Sequence, residues 1–128
     1  EQIRRYMLQT LLPSARRVTI HVGGEDVIVS ADCASSVALV VNELVQNALK
    51  YAFPSGQAGR IGIELHSGRP LCQLTVWDNG VGFQADRPRP GGAGLELAST
   101  IVREKLTGEW SVESGPGGTR ISFDFLEQ

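Results

Sequence analysis

The chain has 128 residues, of which 41% are hydrophobic, and its formal net charge is −2 at pH 7. These values predict one folded domain with a substantial core and argue against intrinsic disorder. The absence of a basic excess argues against a nucleic-acid-binding face, and no apolar run approaches the roughly 20 residues of a membrane span.

The predicted secondary structure is a series of short elements around one long helix. In chain order, the predicted elements are a helix over 1–12, strands over 18–22 and 27–29, a long helix over about 33–52, strands over 60–66 and 71–78, a helix over about 95–106, and strands over 110–112 and 120–126. Pro13 stops the first helix, and Asp32 is placed to cap the long one. Residues 79–92 are rich in Gly and Pro and predict a loop, and Gly108 is suited to end the last helix.

The order of these elements (strands, helix, hairpin, helix, hairpin) predicts an α/β sandwich with helices packed on one face of a mixed, mostly antiparallel sheet. The strands do not alternate one by one with helices, which excludes a doubly wound sheet. Cys33 and Cys72 lack metal-ligand spacing. They predict buried, reduced thiols rather than a disulfide or a metal site, as expected in a reducing compartment.

The long helix carries a polar stripe beside its apolar face. At about 100° per residue, Glu43, Asn47 and Lys50 fall within a stripe about 60° wide. The amide oxygen can ligate a hard cation such as Mg²⁺, the ammonium can meet a phosphate, and the acid can orient or deprotonate a hydroxyl or water. Taken alone, the pattern is more typical of a solvated helix face.

The strand over 71–78 ends in an aspartate that continues its apolar face. A period of two puts Asp78 on the same face as Val76, where a carboxylate is costly without hydrogen bonds. Gly80 and Gly82 follow, and glycines allow a flat ligand to approach the backbone closely. The carboxylate could accept a hydrogen bond from the amino group of a base, although a plain Asp-Asn-Gly turn also explains these residues.

Two further glycine clusters precede regular elements. Residues 91–95 (Gly-Gly-Ala-Gly-Leu) lead into a helix, whose first N–H groups and dipole favour an anion. No Gly-Lys-Ser/Thr follows, which excludes the Lys-bearing phosphate loop, and no strand feeds the cluster directly, which excludes the dinucleotide fingerprint. Gly117 and Gly118 precede Thr119, whose hydroxyl could contact a ligand. A loop before a helix and a hairpin turn are the simpler interpretations.

The sequence contains two histidines that could serve as phosphoacceptors or catalytic bases. His21 and His66 each lie on the polar face of a predicted strand, and neither has a partnering motif. Both are therefore predicted to be solvated strand residues.

The order of the motifs resembles the GHKL ATPases, the superfamily of gyrase, Hsp90, histidine kinases and MutL. Residues 43–52 (Glu-Leu-Val-Gln-Asn-Ala-Leu-Lys-Tyr-Ala) resemble the N box, 78–82 the first glycine box, 92–95 the second glycine box, and 117–119 the closing hairpin. The resemblance covers roughly residues 18–126. It implies the Bergerat-type ATP-binding fold of the HATPase_c domains.

The resemblance also implies a role for each matching position. Asn47 matches the Mg²⁺ ligand, and Asp78 matches the acceptor for the adenine amino group. The other ATP-binding matches are Gly80 and Gly82 in the adenine pocket, Lys50 and Tyr51 near the phosphates or ribose, Gly92, Gly94 and Leu95 at the lid hinge and phosphate side, and Thr119 at the start of the last strand. Residues 83–93 match the ATP lid.

The size of the domain and the sequence of the N box narrow the resemblance to one group within the superfamily. Gyrase, Hsp90 and MutL domains are larger, and residues 40–53 are most similar to the HWE-type histidine kinases, which carry Glu where many histidine kinases carry Asn. Glu43 is therefore the catalytic candidate. It matches the general base for water in the ATP-hydrolysing members, whereas in a kinase it would polarise the acceptor histidine, and the residues leave both roles open.

The resemblance implies the catalytic domain of a two-component sensor histidine kinase, which transfers the γ-phosphoryl group of ATP to a histidine on a separate dimerisation domain. The alternatives are an anti-sigma-factor-type serine kinase, which also carries Glu in the N box, and a non-catalytic ATP-binding switch module. A helical hairpin with an exposed histidine upstream of Glu1 would favour the histidine kinase over the anti-sigma-factor-type serine kinase.

The chain begins at Glu1 without Met, which predicts a piece of a larger protein. Residues 1–14 are expected to be a linker or the end of an upstream dimerisation helix, and residues 15–128 to be the ATP-binding catalytic domain. The expected partners are that histidine-bearing dimerisation domain and a response regulator, with no nucleic acid and no direct membrane contact. The expected location of this domain is the cytoplasm.

Overall fold

The computed structural model describes residues 18–53, 58–68, 70–82 and 92–126. Over these ranges the elements are β1 (Val18–Gly24), α1 (Ala31–Tyr51), β2 (Gly59–Ser67), β3 (Leu71–Asp78), α2 (Gly92–Glu104), β4 (Trp110–Gly115) and β5 (Gly118–Leu126). The predicted helix over 1–12 lies outside the described residues. In the part of the chain that is described, no helix is long and apolar enough to cross a bilayer.

The strands form one mixed sheet in the order β1-β2-β3-β5-β4. β1 and β2 are parallel, and the other three pairs are antiparallel. A parallel pair needs a long crossover connection, and α1 lies in the connection from β1 to β2. Both helices pack together on one face of the sheet, so the predicted fold class is confirmed.

The core lies between the two helices and the inner face of the sheet. Alternate residues of the central strands point inward because successive strand side chains face opposite ways. The largest fully buried side chains are Phe123, Phe125, Ile61, Ile63, Leu65, Leu74, Val27, Val37, Val40 and Val41. The central strands and the apolar face of α1 therefore form the framework that positions the residues at their ends.

The predicted strand over 27–29 is wrong. Only Ile28 forms an isolated bridge, and its side chain is 60% exposed while Val27 and Val29 are buried. The alternation that suggested a strand comes from a connection that places two valines in the core. This connection is fixed at its start, because the N–H of Glu25 donates to the carbonyl of Leu65 at 2.8 Å.

The capping residue of the long helix also differs from the prediction. α1 begins two residues early, and Ser30, not Asp32, is its N-cap, with the Oγ of Ser30 accepting from the N–H of Cys33 at 3.1 Å. Ser30 has extended backbone angles, as an N-cap requires. Asp32 lies in the first turn, where its carboxylate favours the positive end of the helix dipole.

The second helix begins earlier and ends differently than predicted. α2 starts at Gly92 rather than near Leu95. The left-handed residue that follows it is Thr107, with φ 50°, and not Gly108. Gly108 is needed for another reason, because a Cβ there would collide with the carbonyl oxygen of Asp124.

Both cysteines are free thiols, as predicted. Cys72 is buried in the sheet and Cys33 is half-buried, and burial raises the pKa of the Cys33 thiol. Because the thiolate is the reactive form, Cys33 is a poor nucleophile in this setting.

Candidate functional site

The three side chains of the polar stripe of α1 differ in burial. Glu43 is half-buried, Asn47 is buried and Lys50 is exposed. Asn47 is only 6% exposed, yet its side chain makes no hydrogen bond to another described residue. A buried amide without a partner is costly. Such a group is typical of a position that completes its bonding with a ligand.

Asp78 ends β3 on the inner, helix-covered face. It lies between Ile61 of β2 and Thr119 of β5 in the strand register, and it is 9% exposed. Its Oδ1 accepts a hydrogen bond from the N–H of Gly80 at 2.9 Å. The carboxylate is thus held at the end of a core row, as the alternation of β3 predicts.

Asn79 lets the chain leave the sheet directly after Asp78. The N–H of Arg60 donates to the Oδ1 of Asn79 at 2.7 Å, and the N–H of Asn79 donates to the carbonyl of Arg60 at 3.2 Å. A side-chain oxygen thereby takes the place of a main-chain acceptor at the end of the ladder. The backbone is free to turn into the glycines that follow.

Gly80 and Gly82 lie where three elements meet. The N–H of Val81 donates to the carbonyl of Ala52, the C-cap of α1, at 3.0 Å, and a Cβ at Gly80 would collide with Ala52. Gly82 has φ 69°, and a Cβ there would meet the carbonyl of Gly115 in β4. Because only glycine fits both positions without strain, the end of α1, the end of β3 and the β4–β5 hairpin meet at one point.

Thr119 completes this end of the inner face. It is 4% exposed and lies directly opposite Asp78. Its Oγ1 is 2.8 Å from the Oγ of Ser114, its register partner in β4. Sequence reasoning missed Ser114. The available signal was that it precedes Thr119 by five residues across a glycine-rich turn, which is compatible with a cross-strand pair.

The start of α2 is directed to the same end of the molecule. The residues that follow α2 line one groove together with the first turn of α1, so the two packed helices run antiparallel. The first turn of α2 then lies at the end of α1 that carries Asn47. Gly92 and Gly94 belong to this first turn, whose N–H groups have no acceptor within the helix. Leu95 is half-buried beside the core.

The other predicted site residues are less enclosed. Lys50 is exposed and Tyr51 is half-buried, and both lie in the last turn of α1. The predicted lid over 83–93 falls largely outside the described residues. His21 and His66 are exposed strand residues, as the polar alternation of both strands predicts. The Nε2 of His66 lies 3.7 Å from the Oε2 of Glu64.

A polar helix stripe, a strand-end aspartate and a glycine-rich helix start thus meet at one end of an α/β sandwich. These features define a candidate nucleotide-binding domain. The model of the family described as "Histidine kinase-, DNA gyrase B-, and HSP90-like ATPase" matches residues 33–128. The chain belongs to this ATPase family, as its motif order predicts.

Similar proteins include histidine kinases. The chain is 31% identical over 112 residues to Blue-light-activated histidine kinase 2 of Erythrobacter litoralis, a match that covers 84% of this chain and 32% of that protein. The chain therefore spans about a third of the length of that relative. A solved histidine kinase domain of the Erythrobacter litoralis EL346 blue-light-activated kinase has a TM-score of 0.81 at 23% identity, covering 97% of this chain and 64% of that one, which shows the shared fold.

A serine kinase is also similar. Serine-protein kinase RsbW of Listeria innocua is 28% identical over 89 residues, covering 57% of this chain and 57% of that protein.

Proposed function

We propose that this domain binds ATP together with Mg²⁺ and is the catalytic domain of a sensor histidine kinase. It would transfer the γ-phosphoryl group of ATP to a histidine on a separate dimerisation domain. Family membership supports ATP as the nucleotide. The observation that carries the proposal is the position of two buried polar groups, Asn47 and Asp78, near the one point where α1, β3 and the β4–β5 hairpin meet.

The base would bind at the Asp78 end of the inner face. The carboxylate of Asp78 would accept a hydrogen bond from the adenine amino group, and Gly80 and Gly82 would leave room for the ring. Thr119 would contribute its hydroxyl from the neighbouring strand. Charge-assisted hydrogen bonds of this kind are roughly twice as strong as neutral ones, which suits a carboxylate held in place before the ligand arrives.

Asn47 would be the protein ligand of the Mg²⁺ ion. In proteins Mg²⁺ keeps several waters and uses one or two protein ligands together with phosphate oxygens. Among the described residues no cluster of three or more His, Cys, Asp or Glu side chains could hold a metal ion by itself. The unsatisfied amide of Asn47 fits an ion whose remaining ligands come from the nucleotide, and the bound ion would neutralise phosphate charge.

The remaining groups would act on the phosphates and the acceptor. Lys50 and Tyr51 would contact the phosphates or the ribose, and the first turn of α2, with Gly92, Gly94 and Leu95, would place its free N–H groups near the phosphate oxygens. Positioning supplies most of the rate in phosphoryl transfer.

In the transfer step, the imidazole nitrogen forms a bond to the γ-phosphorus while the bond to the bridging oxygen of ADP breaks. The half-buried Glu43 lies one turn before Asn47 on α1. It would polarise the incoming imidazole by accepting its other N–H.

The whole protein would include the histidine-bearing dimerisation domain and would pass the phosphoryl group to a response regulator. We place this domain in the cytoplasm, without nucleic-acid or membrane contacts. The similarity to a serine-protein kinase favours one second candidate, an anti-sigma-factor-type kinase that phosphorylates a serine of a partner protein.

The test uses radiolabelled ATP and the acid and base stability of the product. The chain alone should bind ATP without labelling itself, because neither His21 nor His66 is placed as an acceptor. Adding the histidine-bearing hairpin of the parent protein should give an acid-labile, base-stable phosphohistidine on that hairpin. The hairpin would hold the acceptor imidazole next to the γ-phosphate, and positioning of this kind can lower the activation barrier by about 7–11 kcal/mol.

Glu43→Ala should slow this transfer more than it weakens ATP binding. Glu64→Ala is the matched control, since Glu64 is also half-buried but lies on the outer face of the sheet. An acid-stable phosphoserine on a partner protein would support the second candidate instead. Stoichiometric labelling of the isolated chain at either histidine would contradict the proposal.

A further inference from the structure

We propose that Ser114 is a positioning residue that orients the hydroxyl of Thr119 and thereby makes the site select adenine over hypoxanthine. This inference rests on the proposed ATP-binding function and adds a specificity-determining residue to it.

Three polar side chains form one row across the end of the sheet. Thr119 pairs with Asp78 on one side and with Ser114 on the other, so all three face the helices. Thr119 and Asp78 are buried, and Ser114 is half-buried at the outer end of the row. The hydroxyl oxygens of Ser114 and Thr119 are 2.8 Å apart, a typical O–H···O distance.

The spacing within this row is set by the backbone. Gly115 pairs with Gly118 at the end of the β4–β5 hairpin, directly beside the Ser114–Thr119 pair. Gly118 has φ 130°, and a Cβ there would collide with the carbonyl of Asp78. The hairpin therefore packs against the backbone of Asp78, and the hydroxyl pair is held close to the carboxylate before any ligand binds.

The chemistry follows from the single proton of a hydroxyl group. Either hydroxyl could donate across the 2.8 Å contact, and we assign the donor role to Ser114. The proton of Thr119 then points away from Ser114, toward the Asp78 side of the row. The row then presents a fixed acceptor, Asp78, beside a fixed donor, Thr119. Adenine offers the complement, an amino donor beside a ring-nitrogen acceptor, whereas hypoxanthine offers a carbonyl acceptor beside an N–H donor.

Removing Ser114 would free the rotation of the Thr119 hydroxyl. The hydroxyl could then accept from the ring N–H of hypoxanthine, and it would no longer be pre-oriented for adenine. A neutral hydrogen bond is worth a few-fold to about tenfold in affinity. Ser114→Ala should therefore lower the ratio of ATP affinity to ITP affinity by about three- to tenfold.

The sheet provides a matched control. Thr75 and Ser122 form a second cross-strand hydroxyl pair, with their oxygens 3.0 Å apart. This pair lies on the opposite face of the sheet, away from Asp78. Ser122→Ala removes the same chemical group and should leave the ATP-to-ITP ratio unchanged.

The experiment measures the dissociation constants of ATP and ITP by calorimetry, with Mg²⁺, for the wild-type chain and its variants. Ser114→Thr retains the hydroxyl and should keep the wild-type ratio, and Ser114→Cys, with a weak donor of similar shape, should lower the ratio like Ser114→Ala. Thermal unfolding shows whether Ser114→Ala folds. If it does not, the comparison of Ser114→Thr with Ser114→Cys tests the role of the hydroxyl.

A wild-type ratio in folded Ser114→Ala or Ser114→Cys would overturn this inference while leaving ATP binding intact. An equal loss in Ser122→Ala would also overturn it, because the effect would then be a general loosening of the sheet. Failure of the wild-type chain to bind either nucleotide would refute the proposed function itself.

Discussion

Replacement of Asp78 by Asn tests the adenine-binding role with little change in shape. The Oδ1 of Asp78 accepts the N–H of Gly80 at 2.9 Å, and the carbonyl oxygen of an asparagine can keep that bond. The second carboxylate oxygen becomes an NH₂ group, so an acceptor is replaced by a donor that faces the amino group of adenine. Loss of a charge-assisted hydrogen bond costs about 1.5–3 kcal/mol, which corresponds to about a 10- to 150-fold weaker affinity for ATP.

The same variant should remain folded. Asp78 is 9% exposed, and a neutral amide is less costly to bury than a carboxylate. Calorimetric titration with a non-hydrolysable ATP analogue gives the affinity, and thermal unfolding verifies the fold. Purine riboside triphosphate lacks the amino group, so its affinity should change little between wild type and Asp78→Asn. A folded variant with the wild-type affinity for ATP would refute the assignment.

Three further predictions concern the cation site and the framework. Wild type should bind ATP more tightly with Mg²⁺ than with a chelator, whereas Asn47→Ala should show little difference; an equal effect of Mg²⁺ in both proteins would contradict the metal role. Gly118→Ala should lower the free energy of unfolding in urea by about 1–3 kcal/mol, because an L side chain is strained at φ 130°. Gly117→Ala, with open space around its Cα, should change that free energy by less than about 0.5 kcal/mol, and similar losses at both glycines would count against the close approach. Ser30→Ala should cost about 1 kcal/mol of stability as the N-cap, and Asp32→Ala should cost less; the reverse order would restore Asp32 as the cap.

The fold class was accessible from the sequence because each element carries its own periodic pattern. The alternation of β3 predicted its bounds, and the motifs around Asn47 and Asp78 pointed to one family. The strand order was less accessible, because pairing of β3 with β5 joins strands separated by a whole helix. Such pairings depend on which apolar faces cover each other and leave no local signature.

The wrong predictions fall where a local sequence pattern fits more than one structure. Ser30 and Asp32 are both good capping residues, and the backbone at Ser30 decides between them. Val27 and Val29 alternate like a strand, yet over the described residues of this connection only Ile28, between them, forms a bridge. Ser114 had no motif of its own, because its role depends on a cross-strand neighbour that only the hairpin register defines.

The residues of the candidate site continue the buried rows of the hydrophobic core. Asn47 lies in the same helical turn as Val45 and Ala48, which are buried in the core, and Asp78 ends the row of β3 side chains that form the inner face of the sheet. Because packed interiors allow little side-chain freedom, the amide of Asn47 and the carboxylate of Asp78 are held in place without a ligand. The binding energy of the nucleotide therefore need not order these two side chains. Preorganisation of this kind stabilises a complex mainly by lowering the entropy lost on binding.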